Sequence, residues 1–351
     1  MRYSIKKSTV RIWGLLALLP LVMWGCSFLI KTVSVQQEAE DGTLVSYVKA
    51  GEMATFQFSG TISIDGDASN ETFIVAFLVP RSWNARQTAE VTYYEDRYEP
   101  DIEHSMHLIA DTEQPANYKG MTWGTALKKK YGVRNNVLND MEWVTFKSES
   151  YAVVNGTINY SVTIRCKSGK NNLKFKPSFF INHSNDGIGS DNAHYAVADS
   201  KDCFEVVKGE GSLIDFCSMH YYQIEPLAAL QDDFVTFTFQ GDIHPNELAN
   251  EGDVYFEATA YTSTGKSYRI DEKSEKTLMK RDAVLPRYAL TLWPGGFFGI
   301  SEAEVISRID YVFTDRTGNI IISKSDDDRD NAGEEIEEDA KSPFSFELRC
   351  E

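Results

Sequence analysis

The chain has 351 residues, 42% hydrophobic, 25% charged and 12% aromatic, with a formal net charge of −17. So acidic a polypeptide lacks the basic field that nucleic-acid phosphates need, and it offers no polybasic patch for anionic lipid. A single hydrophobic core rarely grows past about 250–300 residues, so two domains are the expectation.

The first feature in chain order is Met1–Cys26. Four positive charges (Arg2, Lys6, Lys7, Arg11) precede Ile12–Gly25, fourteen residues without a charge, and Gly25 and Cys26 close the run. A basic segment, a short apolar segment and a small residue make a secretory signal. The run is shorter than the roughly 20 residues that span a bilayer. A cysteine directly after the small residue resembles a bacterial lipoprotein box. That resemblance implies a signal peptide over 1–25, lipidation of Cys26, a lipidated N-terminus and tether over 26–30, and a membrane-tethered ectodomain beyond. Met23 and Trp24 stand where the box usually carries Leu and a small residue. The competing reading is an uncleaved N-terminal anchor.

From Ser27 onward the pattern is short, alternating and β-rich. Lys31–Val35, Met53–Ile64 and Thr72–Val79 read as strands, punctuated at Ala50–Gly51 and Asp65–Gly66 and stopped by Pro80. Further strands are predicted at Glu90–Tyr94, Trp143–Lys147, Ile158–Arg165, Leu173–Ile181 and Phe204–Val207, with a short helix at Trp123–Tyr131 before a C-terminal glycine. Residues 31–218 thus read as a β-sandwich with a long excursion over Arg81–Asp140. Residues 219–351 read as a second, immunoglobulin-like sandwich, with strands at Asp233–Gln240, Asp253–Tyr261, Tyr268–Ile270, Tyr288–Trp293, Ile306–Phe313 and Asn319–Ile322. The fold class is all-β. Asp326–Asp339 holds nine acids and one Arg, which reads as a solvated loop or tail.

Cys166, Cys203, Cys217 and Cys350 would lie in a disulfide-permissive compartment, with Cys203–Cys217 the first candidate pair because they flank a hairpin-sized segment. The alternative is buried free thiols. The 36, 13 and 132 residues between neighbours match no zinc pattern.

Three tryptophans stand in loop-like sequence: Trp83 (PRSWNA), Trp123 (GMTWGT) and Trp293 (LWPGGFF). A displayed indole stacks on the apolar face of a pyranose, so these are the candidate glycan-binding residues. Core or corner packing is the alternative, and it is the reading for Trp143 in MEWVTF and for Phe297 and Phe298. The loop Asn182–His194 has the oxygen donors and glycines of a Ca²⁺ loop, but a tight polar connection bonded by its own side chains is the favoured reading. Asp326, Asp328, Asp330 and Glu337 match positions 1, 3, 5 and 12 of a Ca²⁺ loop, with Asn331 where glycine belongs. Asp140 and Glu142 share a strand face and form a carboxylate pair. His104 and His107 lack a third ligand. The sequons at Asn70, Asn155, Asn159 and Asn182 carry no meaning in a bacterial chain. No Gly-x-Ser-x-Gly elbow, HExxH or phosphate loop appears, and no cofactor is expected.

A lipidated cysteine followed by tandem sandwiches resembles the outer-membrane lipoproteins of Bacteroidota glycan-utilisation systems. More narrowly, Val79–Trp83 (VPRSW), Gly132–Trp143 (GVRNNVLNDMEW) and Gly209–Cys217 (GEGSLIDFC) are similar to an uncharacterised lipoprotein family of that phylum. Tyr288–Gly318 is loosely similar to starch-binding, SusE/SusF-like modules. The resemblance implies a non-catalytic accessory lipoprotein of the outer membrane. It would hold a polysaccharide or oligosaccharide, starch-like among the options, near importer proteins of the same system. Ser27–Lys31 (SFLIK) has none of the acids that accompany surface export there, so the surface and the periplasmic face both stay open. The runner-up is a structural or protein-interaction lipoprotein without a small ligand, and third a glycoside hydrolase.

Overall fold

A computed structural model describes residues 26–39, 41–188, 196–301, 303–332 and 341–349. The signal segment 1–25, the end of the Asn182–His194 loop, Glu337 and Cys350 lie outside the described residues. Among the described residues no helix is long and apolar enough to cross a membrane. The protein is all-β, with its buried apolar side chains in two clusters, Phe28 to Phe216 and Tyr221 to Leu348.

Two five-stranded sheets face each other in the first domain. One runs in the order Cys26–Ser34, Met53–Ile64, Gly156–Lys167, Glu90–Glu95, His104–Ser105; the other runs Val197–Asp199, Ser178–His183, Ala68–Pro80, Met141–Val153, His107–Leu108. Alternation makes the first sheet half-buried: Ala54, Phe56, Phe58, Ile62 and Ile64 point inward along one strand. The second sheet has centre strands buried on both faces, through Ile74–Val79 and Ser178–His183. Its outer face is covered by helix Trp123–Tyr131, whose Tyr131 ring meets Trp143 and Phe180.

The first domain departs from a simple sandwich in three places. A third, four-stranded sheet (Glu210–Asp215, Asn171–Phe175, Phe204–Val207, Tyr47–Lys49) closes one end and contains two parallel pairings. The single strand expected over Leu173–Ile181 is therefore two strands in different sheets, because Pro177 has no N–H to continue a ladder. The excursion Arg81–Asp140 is structural: it supplies an inner strand and an edge to one sheet, and crosses at buried Met106 to edge the other.

Residues 26–30, expected as a tether, are strand. The ladder begins at Cys26↔Ile64 and runs to Ser34↔Gln57 with one register shift between Ile30 and Thr32. Gly60 permits it, since a Cβ there would lie 1.8 Å from the Leu29 carbonyl oxygen. The Tyr160 hydroxyl donates to that same oxygen at 3.2 Å.

In the second domain the sheet Tyr222–Glu225, Val235–Gln240, Arg287–Leu292, Lys280–Arg281 packs on another. This partner is built on Ile306–Thr314 and flanked by Tyr255–Thr262, Ser267–Ile270, Ile321–Ile322 and Phe344–Glu347. Between the two sheets, Phe237 of strand Val235–Gln240 lies 4.8 Å from Phe256 and 5.0 Å from Tyr311 between ring centroids.

Candidate functional site

The three loop tryptophans have different fates. Trp83 is only 2% exposed. A 3-10 turn over Arg81–Trp83, left-handed Asn84 and a short helix Ala85–Thr88 fold the chain back on itself. The indole is driven against Phe175 at 5.2 Å and Phe56 and Phe204 at 6.2 Å. Trp123 is 4% exposed. It opens a helix capped by Thr122 Oγ1, which accepts from the Thr125 N–H at 3.2 Å. Gly124 lets that helix lie against strand Met141–Val153, where a Cβ would be 2.5 Å from the Trp143 carbonyl oxygen. Neither ring can stack on a sugar, which corrects the expectation for both. Trp143 is buried as well, its Nε1 donating to the Gly132 carbonyl at 3.0 Å.

Trp293 is 45% exposed. It precedes the short helix Pro294–Phe298, which turns Phe297 and Phe298 into the core and leaves the indole outside. The underside of the ring rests on glycine backbone: a Cβ on Gly296 would come within 2.4 Å of Trp293 Cε3, and one on Gly295 within 3.4 Å of Cε2 and Cζ2. Any larger residue at 296 would lift the ring.

A second aromatic belongs to the same place. The ladder between Val235–Gln240 and Arg287–Leu292 ends at Val235↔Leu292, so Phe234 and Trp293 stand one step beyond the same rung. Val235 and Leu292 are buried, and alternation turns their neighbours to the outer face. Phe234 is 72% exposed. Along that face follow Thr236 and Thr291, whose hydroxyls hydrogen-bond at 2.8 Å, and on the next strand Gln223 and Glu225, bonded to each other at 2.7 Å. Phe234 was missed in the sequence although its signal was there: in DFVTFTFQ the inward residues are Val235, Phe237 and Phe239, which leaves an aromatic on the outward parity.

The remaining candidates are held by local bonding. Asp326–Asp330 lies in the helix Lys324–Ala332, so it cannot wrap a cation as a loop does. Nor is this half of the acidic run solvated throughout, since Asp326 and Asp327 are buried. Asp326 Oδ2 accepts from the Ser323 N–H at 2.9 Å, and Asp327 Oδ1 from the Tyr221 N–H at 2.7 Å. Asp326 thus makes a local cap at the helix start, whereas Asp327 is held by a segment more than 100 positions away. In the described part of the Asn182–His194 loop, Asn182 Nδ2 bonds the Gly187 carbonyl at 2.8 Å, while His183 and Asn185 both bind Glu71. Among the described residues no three His, Cys, Asp or Glu side chains gather for a metal. Asp140 pairs with Arg81 at 3.8 Å, while burial raises the pKa of Glu142 against the nearby Arg81 and Arg86. His104 and His107 belong to different sheets and bind Glu99 and Glu149 respectively.

Between the two main sheets of the first domain lies a narrow cleft lined by Phe73, Tyr93, Tyr98, Tyr151 and Tyr160. Its polar groups satisfy one another: the Tyr93 and Tyr151 hydroxyls are paired, and Glu95 accepts from the N–H groups of Arg97, Tyr98 and Glu99.

The junction between the domains is ionic. Cys203 and Cys217 are disulfide-bonded, and Cys166 is a buried free thiol whose pKa burial pushes up to about 11. Just past the disulfide, His220 bridges the domains, with Nε2 2.8 Å from Asp215 and Nδ1 2.5 Å from Asp327. Burial opposes its charge, but the two carboxylates outweigh burial and raise its pKa to about 9. Burial likewise works against Asp215, yet hydrogen bonds from His220, Lys174 and the Cys217 N–H bring its pKa to about 2.

Fold and site together define an all-β, two-domain protein with one aromatic corner open to solvent. Residues 32–220, more than half of the chain, match the family described as Domain of unknown function (DUF4961), and the chain belongs to that family. Residues 222–322 match a second, Domain of unknown function (DUF8578). No curated protein matches the sequence. Among solved structures, the C-terminal domain of the antigen I/II-family protein AspA of Streptococcus pyogenes is similar at 9% identity over 83% of this chain and 95% of that one, with a TM-score of 0.22. A partial N-terminal region of enterococcal surface protein is similar at 8% identity over 85% and 93%, with a TM-score of 0.26. At such scores the fold is read from the sheets alone.

Proposed function

We propose that the protein is a lipid-anchored, non-catalytic lipoprotein of the outer membrane. It binds a polysaccharide or oligosaccharide at the Trp293–Phe234 corner, as an accessory to glycan capture and uptake. The observation that carries this reading is the Trp293 indole, seated on Gly295 and Gly296 with its other face toward solvent beside exposed Phe234. Exposed aromatic faces suit the apolar faces of sugar rings, and the neighbouring Thr236, Thr291 and Gln223 offer hydroxyl and amide partners. A lipid anchor would raise the effective concentration of so shallow a site near its importer.

The test is native affinity electrophoresis of residues 27–351 through gels cast with starch, dextran, a β-glucan, xylan or mannan. Selective retardation in one gel, lost in Trp293→Ala and Phe234→Ala, is the expected result. Free migration in every gel overturns glycan binding and favours the protein-interaction reading, which a pull-down from membranes then tests.

A further inference from the structure

The start of the first strand fixes which end of the molecule meets the membrane. We infer that the end of the first domain formed by residue 26 and the turns 65–67, 96–103 and 154–155 lies flush on the lipid surface, with the second domain held at the far end. This rests on the lipid anchor proposed above.

Residue 26 is the lipid-bearing position, and its backbone is already paired, Cys26↔Ile64, so no free linker separates anchor from fold. Gly156 pairs with the same Ile64, which brings the turn between Met141–Val153 and Gly156–Lys167 to the same end. The three turns are bonded into one surface. The Asn155 N–H donates to Asp67 Oδ1 at 3.1 Å, Arg97 Nη2 donates to the Asn155 carbonyl at 2.9 Å, and the Val154 N–H donates to the Tyr98 hydroxyl at 2.9 Å. Two aliphatic side chains are exposed on these turns, Val154 at 43% and Ile102 at 49%. Exposed aliphatic tips beside an acyl chain suit the lipid interface. Asp65, Asp67, Asp96, Glu99, Asp101 and Glu103 outnumber Arg97 here, so attraction to anionic headgroups plays no part.

The opposite end is equally defined. The strand Met53–Ile64 has 12 residues and so spans about 40 Å. Its far turn, at Glu52, receives the Ser168 N–H at 2.8 Å. Asn171, three residues after Ser168, is bonded by Arg349 of the second domain at 2.9 Å. The second domain is thus joined to the membrane-distal end.

The experiment uses the mature lipidated protein in phosphatidylethanolamine–phosphatidylglycerol vesicles, with Cys350→Ser and one fluorophore on Val154→Cys or Glu52→Cys. A nitroxide on the lipid headgroup should quench the label at 154 several-fold more than that at 52, and no less in high salt, which only screens the repulsion between these acids and phosphatidylglycerol. Ten Gly/Ser residues inserted after Cys26 should remove the difference. Equal quenching without the insertion, or stronger quenching at 52, overturns the orientation while the anchor stands. Mass spectrometry that finds no acyl chains on residue 26 overturns the anchor and the orientation together.

Discussion

Trp83 and Trp293 occupy comparable places in their domains. Each lies just past the end of a strand at a proline-started turn: Trp83 closes the 3-10 turn that follows Pro80, and Trp293 caps the short helix that Pro294 opens. In the first domain a third sheet lies across that corner, and Phe175 and Phe204 receive the ring. In the second domain nothing among the described residues crosses the corner, the helix directs Phe297 and Phe298 inward instead, and the indole stays outside on glycine. A loop aromatic becomes core or display according to whether another layer of structure reaches it, and that layer comes from elsewhere in the chain.

The sharpest break of this comparison is truncation of each ring. Trp83→Ala should cost about 3–5 kcal/mol, the range for a buried aromatic that leaves a cavity, read as a fall in the urea midpoint. Trp293→Ala should stay within about 0.5 kcal/mol; a large loss there would show that its corner is closed after all. Second, the disulfide ties down the sheet that covers Trp83, with Cys203 and Cys217 14 positions apart. Reducing it should destabilise the first domain by about 3 kcal/mol and leave the unfolding of the second unchanged, as separate calorimetric transitions would show.

A third effect lies at the junction. His220 has its pKa raised to about 9 in the folded protein from an ordinary 6.5, so its contribution is complete below about pH 6.5 and is lost as pH rises through 9. Asp215 is lowered to about 2 from 3.8, so its contribution is complete above about pH 4 and is lost as pH falls through 2. Interdomain stability should therefore be flat between about pH 4 and 6.5. Above that it should fall by at most about 1.4 kcal/mol per pH unit for the one proton, a slope that His220→Gln should abolish in pH-dependent thermal melts. The smallest effect on folding is at Gly296→Ala. The added methyl meets the indole at 2.4 Å, and should shift Trp293 fluorescence and weaken polysaccharide retardation while the melting temperature holds.

Several elements were legible in the sequence because local rules suffice for them. Met53–Ile64 alternates strictly, Trp123–Tyr131 ends at glycine, and both have the predicted bounds. The acidic run was not legible. Its charge reads as solvation, yet Asp327 is 2% exposed because it reaches the Tyr221 N–H and the His220 ring, partners more than 100 positions away.

The sequence by itself determined the all-β class and the inward and outward parity along half-buried strands such as Met53–Ile64 and Val235–Gln240, since both follow from side-chain period and backbone sterics. Tertiary structure alone decided that Trp83 and Trp123 are core, that Phe234 joins Trp293, and that the strand beginning at Cys26 leaves no tether. Burial and strand pairing are relations between distant segments, so no window of the chain contains them.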